Sequence, residues 1–160
     1  MKQDRFLLGI LVGIAVLVVA ALVVFFTRNQ QVSYRAGQAP EDVVHNYVLA
    51  VMNKDYEKAY DYLADLKNKP TFEDFRQAFA VGRLSPGQGG VKIGSADITA
   101  DSASVEIIMV YTPGDPFSSG NQNVGSAQLL RQSGAWKISA MPAYNLWDFG
   151  WYQEQPKQQP

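Results

Sequence analysis

From Phe6 to Phe26 the chain reads FLLGILVGIAVLVVAALVVFF, without one charged side chain. A helix rises about 1.5 Å per residue, so this stretch reaches roughly 30 Å, the thickness of the hydrocarbon layer of a bilayer. The apolar part of a cleaved signal peptide is only about 7–15 residues long. Small residues do occur at Val18–Leu22, but the apolar run continues through Phe26, which predicts a retained transmembrane helix. No cysteine follows it, so a lipoprotein anchor is excluded. Lys2 and Arg5 precede the run, with Asp4 beside them, and Arg28 and Arg35 follow. By a small margin the positive-inside rule keeps the N-terminus in the cytoplasm and predicts an extracytoplasmic C-terminal domain on a single-pass cell-membrane protein. Gly9 and Gly13 form a GxxxG, with Ala20 on much the same face. Small residues of this kind let two membrane helices pair, and they are also common in membrane helices that do not pair.

The remainder must be a folded domain with its own core, since it is long enough to bury one without staples. Its charges exclude some functions. The chain carries 14 basic and 15 acidic residues for a net charge of −1, spread without a basic stripe, so nucleic acid is not an expected partner. Cysteine is absent, which removes disulfides, thiol nucleophiles and thiolate metal sites. The one histidine, His45, belongs to no HExxH or HxH pattern; neither a metal nor a cofactor is expected.

After a short tail (1–5) and the transmembrane segment (6–26), residues 27–39 are polar and aperiodic and predict a spacer. Pro40 suits the first position of a helix, and Glu41 and Asp42 place negative charge at its positive end. Val44, Tyr47, Val48, Val51 and Met52 then form an apolar stripe. Asp55 predicts the N-cap of a second helix with Tyr56, Ala59, Tyr60 and Leu63 on its stripe. Thr71, with Asp74 three residues on, predicts the start of a third, carrying Phe72, Phe75 and Phe79 on one face and stopping at Gly82. Periodicity then changes to 2. Strands are expected at Val91–Thr99, Ala103–Thr112, Asn123–Arg131 and Ala135–Met141, with a long hairpin tip at Pro113–Asn121. The domain is thus expected at 40–152, before a disordered tail at 153–160. Helices first and an antiparallel meander second predict an α+β fold, with three helices packed on a curved antiparallel sheet of about four strands.

The stretch PEDVVHNYVLAVMNKDYEKAYDYLA (Pro40–Ala64) resembles the opening of nuclear transport factor 2-like domains, in which an apolar helix precedes a short xDyxxAyxxL helix. GAWKI (Gly134–Ile138) is similar to their closing strand. The resemblance covers about Pro40 to Trp151 and implies a cone-shaped α+β domain, of a type that bacteria also attach to membranes. It is a packing pattern and carries no activity, because the fold hosts isomerases, dehydratases and adaptors alike.

Candidate site residues follow from the stripes. Tyr47, Tyr60, Phe79, Met109, Trp147 and Trp151 are expected at the cone, either as core or around a small apolar ligand. Tyr56 shares the stripe and Tyr62 does not. YNLWDFGWY (Tyr144–Tyr152) predicts a segment folding over the cone, with Trp147 and Trp151 as plugs; an exposed surface for an envelope protein or glycan, or contact with the bilayer interface, are the alternatives. Glu106 shares its strand face with Ser104 and Thr112, which predicts an outward carboxylate; Asp97 is ambiguous, and Asp101 and Asp115 fall in turns. His45 is expected on the solvated side of the first helix, beside Asn46. Ile108 and Val110 make the second strand apolar on its outer face as well, which predicts a face either covered by a partner or left as an exposed patch; the covered form would be a homodimer through Ile108 and Val110, with Gly9 and Gly13 pairing in the membrane. The expected function is a membrane-anchored, non-catalytic binding or interaction module. The alternatives are an isomerase- or dehydratase-like enzyme with a carboxylate in the cone, or an adaptor subunit of a membrane complex.

Overall fold

The computed structural model describes residues 3–28, 33–85, 89–111, 120–142 and 145–153. The chain divides into two units, Met1–Ser33 and Tyr34–Pro160. The first contains α1 (Gln3–Arg28), whose stretch Leu7–Val24 is long and apolar enough to cross a membrane.

The second unit is α+β. Its helices are α2 (Pro40–Met52), α3 (Tyr56–Asp61) and α4 (Phe72–Ala80). Its strands are β1 (Gly89–Thr99), β2 (Ser102–Tyr111), β3 (Asn121–Gln132) and β4 (Ala135–Ala140), in one sheet of order β1-β2-β3-β4. All three pairings are antiparallel. Local chemistry explains the boundaries. Pro40 opens α2 with Glu41 and Asp42 in its first turn. The Asp55 carboxylate accepts the Lys58 amide at the start of α3. At α4 the Thr71 hydroxyl accepts the Asp74 amide and donates to the Asp74 carboxylate. Ser133 and Gly134, both at positive φ, turn the chain from β3 to β4.

The expected strands are present with no end moved by more than two residues; β1 starts at Gly89 instead of Val91. The hairpin tip falls largely at residues 112–119, and with Asp115 and Thr112 lies outside the described residues, as does 154–160 of the expected tail. The inner face of β2 follows the alternation: Ala103, Val105, Ile107 and Met109 are buried, while Glu106 is exposed. Register shifts between Ile93 and Ala96, and between Gln128 and Leu129, mark irregularities that bend such strands. The first is tied to α2, because the Glu41 carboxylate accepts the Ala96 amide at 3.1 Å.

Helix α2 packs on β1, β2 and β4, and α3 touches both α2 and α4. The chain after α3 then joins the sheet edge: the Ile138 amide donates to the Tyr62 carbonyl and the Ala64 amide to the Ile138 carbonyl, both at 2.8 Å.

At several residues the packing differs from the expectation. Asn46 is buried, with 6% of its surface exposed. Its side chain accepts from the Arg35 amide and donates to the Arg35 carbonyl, at 2.8 and 2.9 Å. The end of the expected spacer therefore lies against α2: Tyr34 and Arg35 belong to the domain, with Arg35 also paired to Asp42 at 3.3 Å and Lys58 over the Tyr34 ring. Met52 is half exposed, because α2 ends there and the chain turns away. Tyr62 packs partly buried against the core, because it leads from α3 into the bridge beside β4. His45 is half-buried beside Asn46 rather than on a fully solvated face.

Candidate functional site

Aromatic rings from α2, α3, α4 and the C-terminal segment meet in one network. Helical spacing sets three sides of it. Tyr47 on α2 is fully buried; Phe75 and Phe79, four residues apart on α4, stand 5.2 Å from each other. Tyr60 on α3 lies edge-on to Phe72 and Phe75, at 5.5 and 5.6 Å. Tyr56 stacks on Phe79 at 5.3 Å.

Residues 145–153 complete the network from outside the regular elements. The Trp151 ring lies 5.0 Å from Phe75 and 6.2 Å from Phe79. Trp147 lies 5.1 Å from Trp151, 6.3 Å from Tyr47 and 5.8 Å from Tyr152. Only 4% of Trp147 and 8% of Trp151 is exposed. Most of these pairs are edge-to-face or tilted, the arrangement the ring quadrupole favours, at about 0.5–1.5 kcal/mol each beyond the buried area. Of the six residues expected at the cone, Tyr47, Tyr60, Phe79, Trp147 and Trp151 thus join one ring network. Met109 is buried in the same hydrophobic cluster, from the inner face of β2.

Each buried hydroxyl has a structural partner. The Tyr47 hydroxyl donates to the Leu146 carbonyl at 2.6 Å, Tyr60 to Pro70 at 2.8 Å, and Tyr152 to Ala64 at 2.6 Å. Burial raises the pKa of Tyr47 well above the ordinary tyrosine value, and burial raises Tyr60 and Tyr152 as well. All three are therefore neutral donors at physiological pH. Asp148 holds the segment by an ion pair with Arg83 at 3.3 Å. Beside it a cleft of about 450 Å³ is lined by Asn68, Lys69, Thr71, Asp74, Gly150 and Gln153, with Arg83, Asp148 and Trp151 at its walls.

Sequence reasoning missed Leu146, which is 1% exposed, and Tyr152 as a hydrogen-bonding residue. The density of aromatics in the segment was their only signal. Phe149, in the same segment, is 68% exposed, and Tyr144 lies outside the described residues.

The outer face of the sheet differs. Ile108 and Val110 are half exposed, and Val124, opposite Ile108, is 60% exposed. Glu106, the carboxylate that an enzyme would need inside the cone, lies exposed on this face. It runs across Gly94, where a Cβ would collide with it. Asp97 is exposed too, and Asp101 sits in the β1–β2 turn. On α1, a Cβ at Gly9 or Gly13 would meet nothing, so both present open helix surface.

No known protein family matches the chain, and no curated protein does. Among solved structures, a SEC-C motif containing protein from Rhodopseudomonas palustris is 14% identical with a TM-score of 0.47, covering 66% of this chain and 79% of its own. A protein described as an NTF2-like transpeptidase from Campylobacter jejuni is 18% identical, with a TM-score of 0.43 and coverage of 64% and 98%. A cystatin-fold protein from Novosphingobium aromaticivorans is 14% identical, with a TM-score of 0.42 and coverage of 64% and 97%. Likeness at this level assigns neither family nor activity. The α+β layout rests on the chain's own elements.

Proposed function

We propose that this chain is a single-pass, membrane-anchored binding or protein-interaction module, with a nuclear transport factor 2-like domain working outside the cytoplasm. One observation carries the reading: the Tyr47, Phe75, Phe79, Trp147 and Trp151 rings pack on one another within the hydrophobic core, and the Tyr47, Tyr60 and Tyr152 hydroxyls are engaged by main-chain carbonyls. Such an interior is built for packing and apolar contact rather than for proton transfer. The anchor reading is supported by the length and apolar character of Leu7–Val24.

The test is fractionation of cells expressing the chain with a C-terminal tag. The expected result is full-length protein in the membrane pellet after alkaline washing, with the tag digested by protease added to intact cells. A shortened protein in the soluble fraction, or a tag protected until lysis, overturns the reading. Val16→Arg together with Val19→Arg, mid-helix, each cost about 3 kcal/mol of insertion, and the double variant is expected to leave the pellet.

A self-associating form is favoured by Val124 beside Ile108 and Val110 on the outer sheet face. A fragment from Ser33 onward, which keeps the Arg35–Asn46 contact, is expected to sediment as a dimer. Val124→Lys is expected to shift it to monomer. A monomer at high concentration in the unsubstituted fragment rules the interface out.

A further inference from the structure

The cleft of about 450 Å³ lies outside the packed core, and its volume falls in the range of small-molecule sites, about 300–1,000 Å³. Its walls come from stretches far apart in the chain. Lys69, Thr71 and Asp74 stand at the start of α4, Arg83 beyond its end, and Asp148 and Gln153 on the C-terminal segment. The walls are tied to each other twice. The Tyr152 amide donates to the Asn68 carbonyl at 3.2 Å, and Arg83 pairs with Asp148 at 3.3 Å. Asn68 and Tyr152 both have φ 64°; asparagine tolerates the left-handed region, whereas a bulky tyrosine there must be held by its surroundings. The opening is thus set by the fold and needs no movement to receive a molecule.

Wall chemistry narrows the occupant. Among the described residues two cations, Lys69 and Arg83, and two carboxylates, Asp74 and Asp148, line the cleft. Each charge is already answered within the wall. The Lys69 ammonium lies 4.5 Å over the Tyr60 ring, the Thr71 hydroxyl donates to Asp74 at 2.7 Å, and Asp148 accepts the Gly150 amide at 2.8 Å besides pairing with Arg83. An ion of either sign entering here would meet a like charge as well as an opposite one. An apolar molecule would find little to cover, since only 8% of Trp151 is exposed. What the walls hold in reserve is hydrogen bonding from planar groups. Arg83 spends one nitrogen of its fork on Asp148, both carboxylates keep spare lone pairs, and the side-chain amides of Asn68 and Gln153 take no part in these bonds. Forks of donors and acceptors of this kind match neighbouring hydroxyls on a ring.

We propose that this cleft is a saccharide site, taking a short neutral sugar chain whose hydroxyls bond to Asn68, Asp74, Arg83 and Gln153, with Pro70 and the exposed edge of Trp151 against its C–H surface. This deepens the binding-module reading by naming a site and a ligand class. It is independent of where the domain lies in a cell, so the membrane fractionation and the sugar titration fail separately.

Full-length protein in lipid nanodiscs is titrated with maltotriose, cellotriose and chitotriose, followed by saturation-transfer NMR and calorimetry. At least one is expected to bind saturably with a Kd of about 1 mM or tighter. Arg83→Lys keeps the charge and removes the fork, and Gln153→Ala removes an exposed amide; each is expected to weaken binding about 10-fold. Lys92→Ala, exposed on the outer face of the sheet, is expected to leave binding unchanged. Raising salt from about 0.05 to 0.5 M is expected to change the affinity less than about 2-fold, because a neutral ligand exchanges no charge. Absence of saturable binding by all three sugars at about 10 mM overturns the site. Binding that survives intact in both Arg83→Lys and Gln153→Ala places the sugar elsewhere and overturns it too. Trigalacturonate binding about 10-fold tighter than any neutral sugar, with the advantage lost at high salt, overturns the neutral ligand class.

Discussion

Replacing Phe75 with alanine is expected to destabilise the domain by about 3–5 kcal/mol, the usual cost of deleting a buried phenyl ring from a packed core. Phe75 has no exposed surface, and its ring touches Tyr60, Phe79 and Trp151 at once. The site cannot collapse easily, because those neighbours come from α3, α4 and the C-terminal segment, each held by its own bonds. Urea unfolding followed by far-ultraviolet circular dichroism measures the loss. The contrast is Phe149→Ala, where the ring is 68% exposed; a surface truncation of this kind stays within about 0.5 kcal/mol. If both substitutions cost the same, the ring network is not what holds helices and C-terminus together.

The fold was legible where one period ran uninterrupted. The stripe on α2, the alternation of β2 and the capping residues Asp55 and Thr71 are all local signals, and each element formed where its signal lay. The alternation also placed Glu106 outward. The burial of Trp147 and Trp151 was legible for a different reason: rings that large, packed that densely in one short segment, need somewhere to be buried.

What stayed hidden depends on contacts far apart in the chain. Nothing next to Asn46 shows that the Arg35 main chain, which has no strand partner there, will need its amide and carbonyl satisfied. Tyr62 looked off-stripe because the helical period was carried past the end of α3 at Asp61, where the chain already turns toward β4. The ladder to Ile138 spans the whole domain, and no window of sequence contains both ends. The same holds for the hydroxyl of Tyr47, whose acceptor at Leu146 lies on a segment without periodicity.

That hydroxyl makes the domain sensitive to alkali. In the unfolded chain a tyrosine loses its proton near pH 10. In the folded domain burial raises the pKa of Tyr47 well above that value, so the native state keeps the proton after the unfolded state has released it. Stability falls with rising pH wherever the unfolded state binds fewer protons. The contribution is therefore intact below pH 10 and declines from there upward, by about 1.4 kcal/mol per pH unit for this one group. Tyr152 and Tyr60 are shifted in the same direction and steepen the decline, less strongly because both are partly exposed. Unfolding free energies measured from pH 8 to 11.5 should be level at first and then drop. Tyr47→Phe should flatten the drop by about 1.4 kcal/mol per unit while lowering stability at pH 8 by about 1–3 kcal/mol, since the Leu146 carbonyl loses its donor. An alkaline limb unchanged in Tyr47→Phe would mean that the hydroxyl meets solvent, and with it that the C-terminal segment does not seal the rings beneath.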